Sequence, residues 1–287
     1  MKTIGITLGE QAGIGPEVVE SALKNFQTPE GVQFEILGQR LSGVTLGEPT
    51  LETAQVALDA LEEGARKLKS GEIDAIVTAP VSKEGLHDVG FHYPGQTEFF
   101  ADRMDCDNHA MCLTGKNLTV ALVTIHVALA EVPKLLTTDE IVRVGKLLAD
   151  FCRQKGKETP RIAVCGLNPH AGENGAFGRE DIEVVIPAVE QLVAEYTDAE
   201  FSGPHPPDTI FRPAADDEYD AVLCMYHDQG LIPLKLLDFD TGVNTTLGLA
   251  RPRTSPDHGT AFGIAGKGIA SSASMEHAIA LACELVL

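Results

Sequence analysis

The chain has 287 residues, 44% of them hydrophobic, enough for one large α/β domain or two smaller ones with a real core. Its 22 lysines and arginines stand against 42 aspartates and glutamates, a formal charge of -20 that repels a nucleic-acid backbone and an anionic membrane surface alike. Neither is an expected partner, and any local gathering of cations gains meaning against that background. The apolar run at residues 3–8 is too short for a secretory leader and meets Glu10 at once, so it reads as a first buried strand and the protein as cytoplasmic. Further along, amphipathic stretches at 16–24 and 53–69 alternate with short apolar ones at 34–37 and 75–78. The longest apolar stretch, 118–132, is broken by Thr124, His126 and Glu131 and reads as a core strand with its exit loop. A helix over 138–154 with Thr138 as its cap, a strand at 161–166, a helix over 180–195, a strand at 221–226 and a helical stretch at 274–287 complete the pattern. Such alternation predicts an α/β fold. The proline cluster Gly203-Pro-His-Pro-Pro207 is expected to shape a loop, and the six cysteines, with no C-x-x-C among them, are expected as reduced buried thiols.

Three histidines each follow an apolar strand: His126, His170 and His227. In open α/β sheets ligands bind beyond the carboxyl ends of strands, and neutral imidazoles are good ligands for a divalent ion of the zinc type. Spacing alone leaves a metal site and three hydrogen-bonded loop residues as equal alternatives. Near the C-terminus, residues 255–270 form a glycine-punctuated loop that leads into a helix. No G-x-G-x-x-G fingerprint is present: Gly13-Ile-Gly15 is followed by Val18 where the third glycine should stand, and Gly266-Lys-Gly268 by Ser271. A Rossmann fold is therefore not expected.

The C-terminal loop resembles the adenosine-binding loop of the metal-dependent β-decarboxylating dehydrogenases. That likeness implies NAD docking on His258, Gly259, Thr260, Ala261 and Gly266. Six further segments, taken in order, resemble the 4-hydroxythreonine-4-phosphate dehydrogenase family: residues 9–17 (GEQAGIGPE), 78–83 (TAPVSK), 95–100 (GQTEFF), 168–173 (NPHAGE), 226–230 (YHDQG) and 242–249 (GVNTTLGL). The resemblance implies two α/β domains flanking a cleft, isocitrate/isopropylmalate dehydrogenase-like, with boundaries placed at 1–125 plus 250–287 for the first and 126–249 for the second. It implies a homodimer with the active site at the interface. It also implies a divalent metal, zinc with magnesium or cobalt as alternatives, held by His126, His170 and His227, one of them from the partner subunit. Substrate-contacting positions of the family fall on Gln96, Thr97, Lys235, Asn244 and Arg253. The implied reaction is NAD-dependent oxidation of 4-phosphohydroxy-L-threonine followed by decarboxylation, in pyridoxine biosynthesis. Erythronate or threonate 4-phosphate is an alternative substrate, and a metal-dependent phosphoester hydrolase the more remote alternative activity.

Two departures stand out. The family carries histidine where Gln96 stands and Asp-Pro where Glu10-Gln11 stand. Gln96 can donate a hydrogen bond but cannot titrate near neutrality, so a proton-transfer role at that position is not carried over. Asp228 and Asp257, each beside a histidine, are the carboxylates for a general base or for orienting those histidines.

Overall fold

The computed structural model describes residues 1–287, in which contacts divide the chain into two compact units, 1–107 with 243–287 and 108–242. The first stretch runs β1 (Lys2–Thr7), α1 (Gly15–Asn25), β2 (Val32–Leu37), α2 (Leu51–Ser70), β3 (Ala75–Thr78), α3 (Lys83–Asp88) and α4 (Gln96–Arg103). The middle stretch holds β4 (Ala110–Thr114), β5 (Thr119–Thr124), α5 (Val132–Leu135), α6 (Thr138–Gln154), β6 (Arg161–Cys165), α7 (Ile186–Glu195), β7 (Glu200–His205), α8 (Phe211–Ala215), β8 (Ala221–Tyr226) and α9 (His227–Leu237). The chain then returns to the first unit with β9 (Val243–Leu247), β10 (Arg253–Pro256) and α10 (Ala273–Val286).

In the first unit the strands run β2-β1-β3-β10-β9, all parallel except the antiparallel β9–β10 pair. Residues 4–7 of β1 and all of β3 are buried, as parallel strands covered on both faces must be. Behind them Leu61, Leu68, Ile76, Phe99 and Phe100 form a closed core. The second unit runs β4-β5-β8-β6-β7, with β4 antiparallel to β5 and the rest parallel. Leu113, Val120, Leu122, Val222 and Leu234 are among the side chains of its core. No helix is long and apolar enough to cross a membrane.

The unit boundaries fall at 107/108 and 242/243 rather than 125/126 and 249/250. Pairing explains both shifts: β4 is held by β5 and β5 in turn by β8, so residues 108–125 join the second unit, and β9 is held by β10, so 243–249 join the first. The cap of α6 is Thr137, whose hydroxyl accepts from the Glu140 N–H at 3.2 Å, and not Thr138, whose hydroxyl instead donates to the Val184 carbonyl. The proline cluster begins inside β7 instead of shaping a loop, because only the parallel partner β6 claims that strand. All six cysteines are free; five are buried and Cys106 is partly exposed.

Candidate active site

In the first unit the expected substrate residues gather on Arg253, which opens β10 and is 2% exposed. Its Nε and Nη2 donate to the Thr78 hydroxyl at 3.2 and 2.8 Å, Nη2 also to Gln96 Oε1 at 3.0 Å, and Nη1 to Asn244 Oδ1 at 3.3 Å. The Phe100 ring lies 5.8 Å from the guanidinium carbon. Every one of those acceptors is neutral. Burial pushes the guanidinium down to about 9, against a smaller upward pull from Glu98. The two amides must turn their oxygens toward a group that has only donors, so their nitrogens face away, and neither nitrogen donates to any protein acceptor. The result is a receptor made of donors around an enclosed cation, which suits an anion with several oxygens. Thr97 is buried beside Gln96 at the start of α4, so all but the first residue of the 95–100 segment is helix. Thr78, which no spacing argument singled out, ends an apolar strand as the histidines do.

The C-terminal loop belongs to the same unit. His258 Nδ1 lies 3.1 Å from the Gly259 carbonyl oxygen, and Nε2 is buried with no partner. A side chain built on Gly259 or Gly263 would meet nothing within 4 Å, so open space lies over the loop where a flat ligand group can approach. Ala261 takes a left-handed conformation, and Thr260 turns its carbonyl to accept from the Ile14 N–H at 2.9 Å. A Cβ on Gly13 would fall 2.6 Å from that same carbonyl oxygen. Gly13 therefore serves the close packing of its own turn against the 258–262 loop, while a Cβ on Gly15 would fall 2.2 Å from the Leu8 carbonyl oxygen. Gly266 donates its N–H to Glu17 at 3.2 Å. These features fit a nucleotide. Gln11 donates to the Gln39 carbonyl at 2.7 Å and accepts from the Leu41 N–H at 3.0 Å, a tie that proline at this position could not make. Asp257 is half-buried, and its N–H donates to the Ser274 hydroxyl.

The second unit holds the histidines. His126 and His227 follow the neighbouring parallel strands β5 and β8, and their ring centroids lie 5.8 Å apart. They border a cavity of about 400 Å³ walled by Val127, Leu129 and Tyr226. His227 opens α9 and its Nδ1 lies 2.7 Å from Asp228 Oδ1, a contact that fixes the tautomer and leaves Nε2 for a metal. Asp228 is thus placed to orient His227. His170 stands apart, its ring 5.8 Å from that of Phe177. It opens a run of five left-handed residues, with φ of 55, 51, 77, 39 and 54° from His170 to Asn174. Such backbone costs about 1–2 kcal/mol for each non-glycine residue. Imidazoles suit a borderline divalent ion, so the donor set fits; yet no group of three His, Cys, Asp or Glu side chains within one chain lies close enough to hold one. Lys235 is half-buried in the last turn of α9, in this unit and not in that of Arg253 and Asn244.

Comparison with known proteins adds to this geometry. Residues 11–282 match the model of a family described as pyridoxal phosphate biosynthetic protein PdxA. The chain is 41% identical over 320 residues to a 4-hydroxythreonine-4-phosphate dehydrogenase of Zymomonas mobilis, covering 98% of this chain and 95% of that one. The crystal structure of a 4-hydroxythreonine-4-phosphate dehydrogenase from Klebsiella pneumoniae superposes with a TM-score of 0.83 at 36% identity, with both chains fully covered. An isocitrate dehydrogenase from Methylococcus capsulatus, at 16% identity and a TM-score of 0.60 over 99% of this chain and 85% of that one, shares the fold.

Proposed function

The chain belongs to the family of the pyridoxal phosphate biosynthetic protein PdxA, and from that premise we propose that it oxidises 4-phosphohydroxy-L-threonine with NAD, with decarboxylation of the resulting β-keto acid. It is a dehydrogenase acting on the CH–OH group of a phosphorylated hydroxy acid. The observation that carries the substrate assignment is Arg253: a buried cation with only neutral acceptors, flanked by two amides whose nitrogens are unclaimed. A phosphate dianion supplies what this cluster lacks. Arg253 gives charge and an unused N–H, while Gln96 and Asn244 donate from amides whose direction the arginine has already set. Lys235, in the other unit, is assigned to the substrate on the family resemblance alone, and Thr97 supports Gln96 at the head of α4.

We assign NAD to the loop carrying His258, Gly259, Thr260, Ala261 and Gly266, supported by the open space over Gly259 and the unpartnered His258 nitrogen. We assign a divalent ion, zinc first, to His126, His170 and His227, shared between two copies of a homodimer so that no copy need gather all three. When bound, the ion supplies a Lewis acid that lowers the pKa of a hydroxyl, and NAD supplies the hydride acceptor. Asp228 orients His227, which leaves Asp257, on the segment that leads into the NAD loop, as the carboxylate to accept the hydroxyl proton. Gln96 holds an oxygen without exchanging a proton, so substrate binding at that position does not follow an imidazole titration.

NADH formation by the zinc-loaded protein tests the assignment across 4-phosphohydroxythreonine, erythronate 4-phosphate, threonate 4-phosphate and isopropylmalate. The highest kcat/KM is expected with the first. No NADH from any phosphorylated member would overturn the reading. In the same assay Gly259→Val should raise the KM for NAD far more than that for the substrate.

A further inference from the structure

Asp181 lies eleven residues beyond His170, and nothing in its sequence context marks it. It is completely buried, at 0% exposure. Its carboxylate accepts from the Leu167 N–H at 2.7 Å, the Asn168 N–H at 3.1 Å and the Asn168 side-chain amide at 3.0 Å. All three donors belong to the two residues that precede Pro169 and His170. The same carboxylate backs the left-handed run from the inside: a Cβ on Gly166 would lie 2.9 Å from Oδ1, and one on Gly172 3.2 Å from Oδ2. A backbone run of this hand persists only where its surroundings over-determine it. Within the segment the Ala171 N–H donates to the Asn168 carbonyl at 3.0 Å, so the anchored residue is also the one on which the run closes.

We propose that Asp181 is a positioning residue for the metal: it sets the entry of the 170–174 run and thereby the direction of the His170 ring. This rests on the assignment of His170 as a ligand. An uncharged carboxamide at the same place would turn a donor toward N–H groups that already point inward, so at least one of the three contacts is lost and the run is freed to relax. The effect reaches the metal through His170 alone, without Asp181 touching it.

Asp238 supplies the comparison, because it is equally enclosed in the same unit, at 2% exposure, and accepts from the N–H groups of Lys116, Asn117 and Leu118. It anchors the β4–β5 turn and no histidine. Zinc affinity, measured by chelator competition on the full-length protein, is therefore read for wild type, Asp181→Asn, Asp238→Asn and His170→Ala, with a melting curve for each. Asp181→Asn should weaken zinc binding about 10–100-fold, the range for residues that orient a ligand, while Asp238→Asn lowers the melting temperature and leaves zinc affinity alone. Ala171→Gly in the Asp181→Asn background should restore part of the affinity, since glycine accepts left-handed backbone without Cβ strain. Wild-type zinc affinity in Asp181→Asn beside a defective His170→Ala overturns the proposal and keeps the ligand assignment. Wild-type affinity in His170→Ala overturns both. If Asp181→Asn does not fold, Asn168→Ala, which deletes one donor from the other side, carries the test: a several-fold loss supports the proposal and an unaltered affinity overturns it.

Discussion

In the unit built from 1–107 and 243–287, Arg253 is enclosed and pinned by four side-chain hydrogen bonds, whereas in the 108–242 unit His126 and His170 are exposed and sit at left-handed backbone. The first arrangement is complete before any ligand arrives, because a desolvated cation and its amides are oriented by their own partners. The second sets two of the histidines proposed as ligands at left-handed backbone and leaves the set of three ungathered in one chain. Side-chain preorganisation suits an anion, whose capture needs charge and direction. Backbone placement suits a metal, whose own bonds complete the geometry.

The comparison breaks most visibly at the histidines. His227→Ala should reduce NADH formation to background and weaken zinc binding, with the far-ultraviolet dichroism unaltered; a folded variant with wild-type zinc content would remove His227 from the site. Arg253→Met sharpens the other side. It keeps an unbranched apolar stem but drops the charge and the guanidinium fork, so the KM for the phosphorylated substrate should rise about 10–100-fold, the equivalent of roughly 1.5–3 kcal/mol for a hydrogen bond to a charged group. Its melting temperature should equal or exceed that of wild type, because an enclosed cation with neutral partners carries an uncompensated desolvation cost. A fall of several degrees would make the arginine a structural element instead. The KM for NAD should not move.

The smallest effect expected is electrostatic and lies away from both sets. Burial works against the Asp220 carboxylate, but the Arg161 side chain and N–H and the Lys157 ammonium hold it down at about 2 from an ordinary 3.8. A depressed carboxylate contributes stability above its unfolded value and loses it as the pH falls through the folded one. Asp220→Asn should therefore melt below wild type near neutrality, and the gap should close as the pH drops from about 4 to about 2. A gap independent of pH would assign the loss to packing.

Legibility followed the same division. The α/β alternation was readable because β1, β3, β5, β6 and β8 are short buried apolar runs and α2 and α6 carry one apolar face. No helix was expected directly after the strand at 221–226; α9 carries Gly230 and Pro233 inside it and is held by burial of Leu231 and Leu234 in the core. Strand β10 has the sequence RTSP, with no apolar signal at all, and exists because β3 and β9 flank it. The histidines were visible from their place after strands, and Arg253, Asn244 and Gln96 from the resemblance alone. That the two amides turn their oxygens to the arginine depends on residues up to 157 positions apart, which no local pattern encodes. Asp181 was invisible for the same reason: an enclosed carboxylate is written like an exposed one.

The insertion of β10 between β3 and β9 has a further consequence, for the order in which a ribosome delivers the molecule. The 108–242 unit is contiguous and has all of its strands once residue 242 has been made. The other unit at that moment lacks β9, β10 and α10, so β3 has an open edge that must wait for Arg253–Pro256 to emerge. Long-range closure of this kind is slow, because loop-closure entropy is lost before the contact forms. The strand that closes the sheet is also the one that brings the Arg253 guanidinium, so the cluster of Arg253 with Thr78, Gln96 and Asn244 cannot assemble in a nascent chain before its fold is closed.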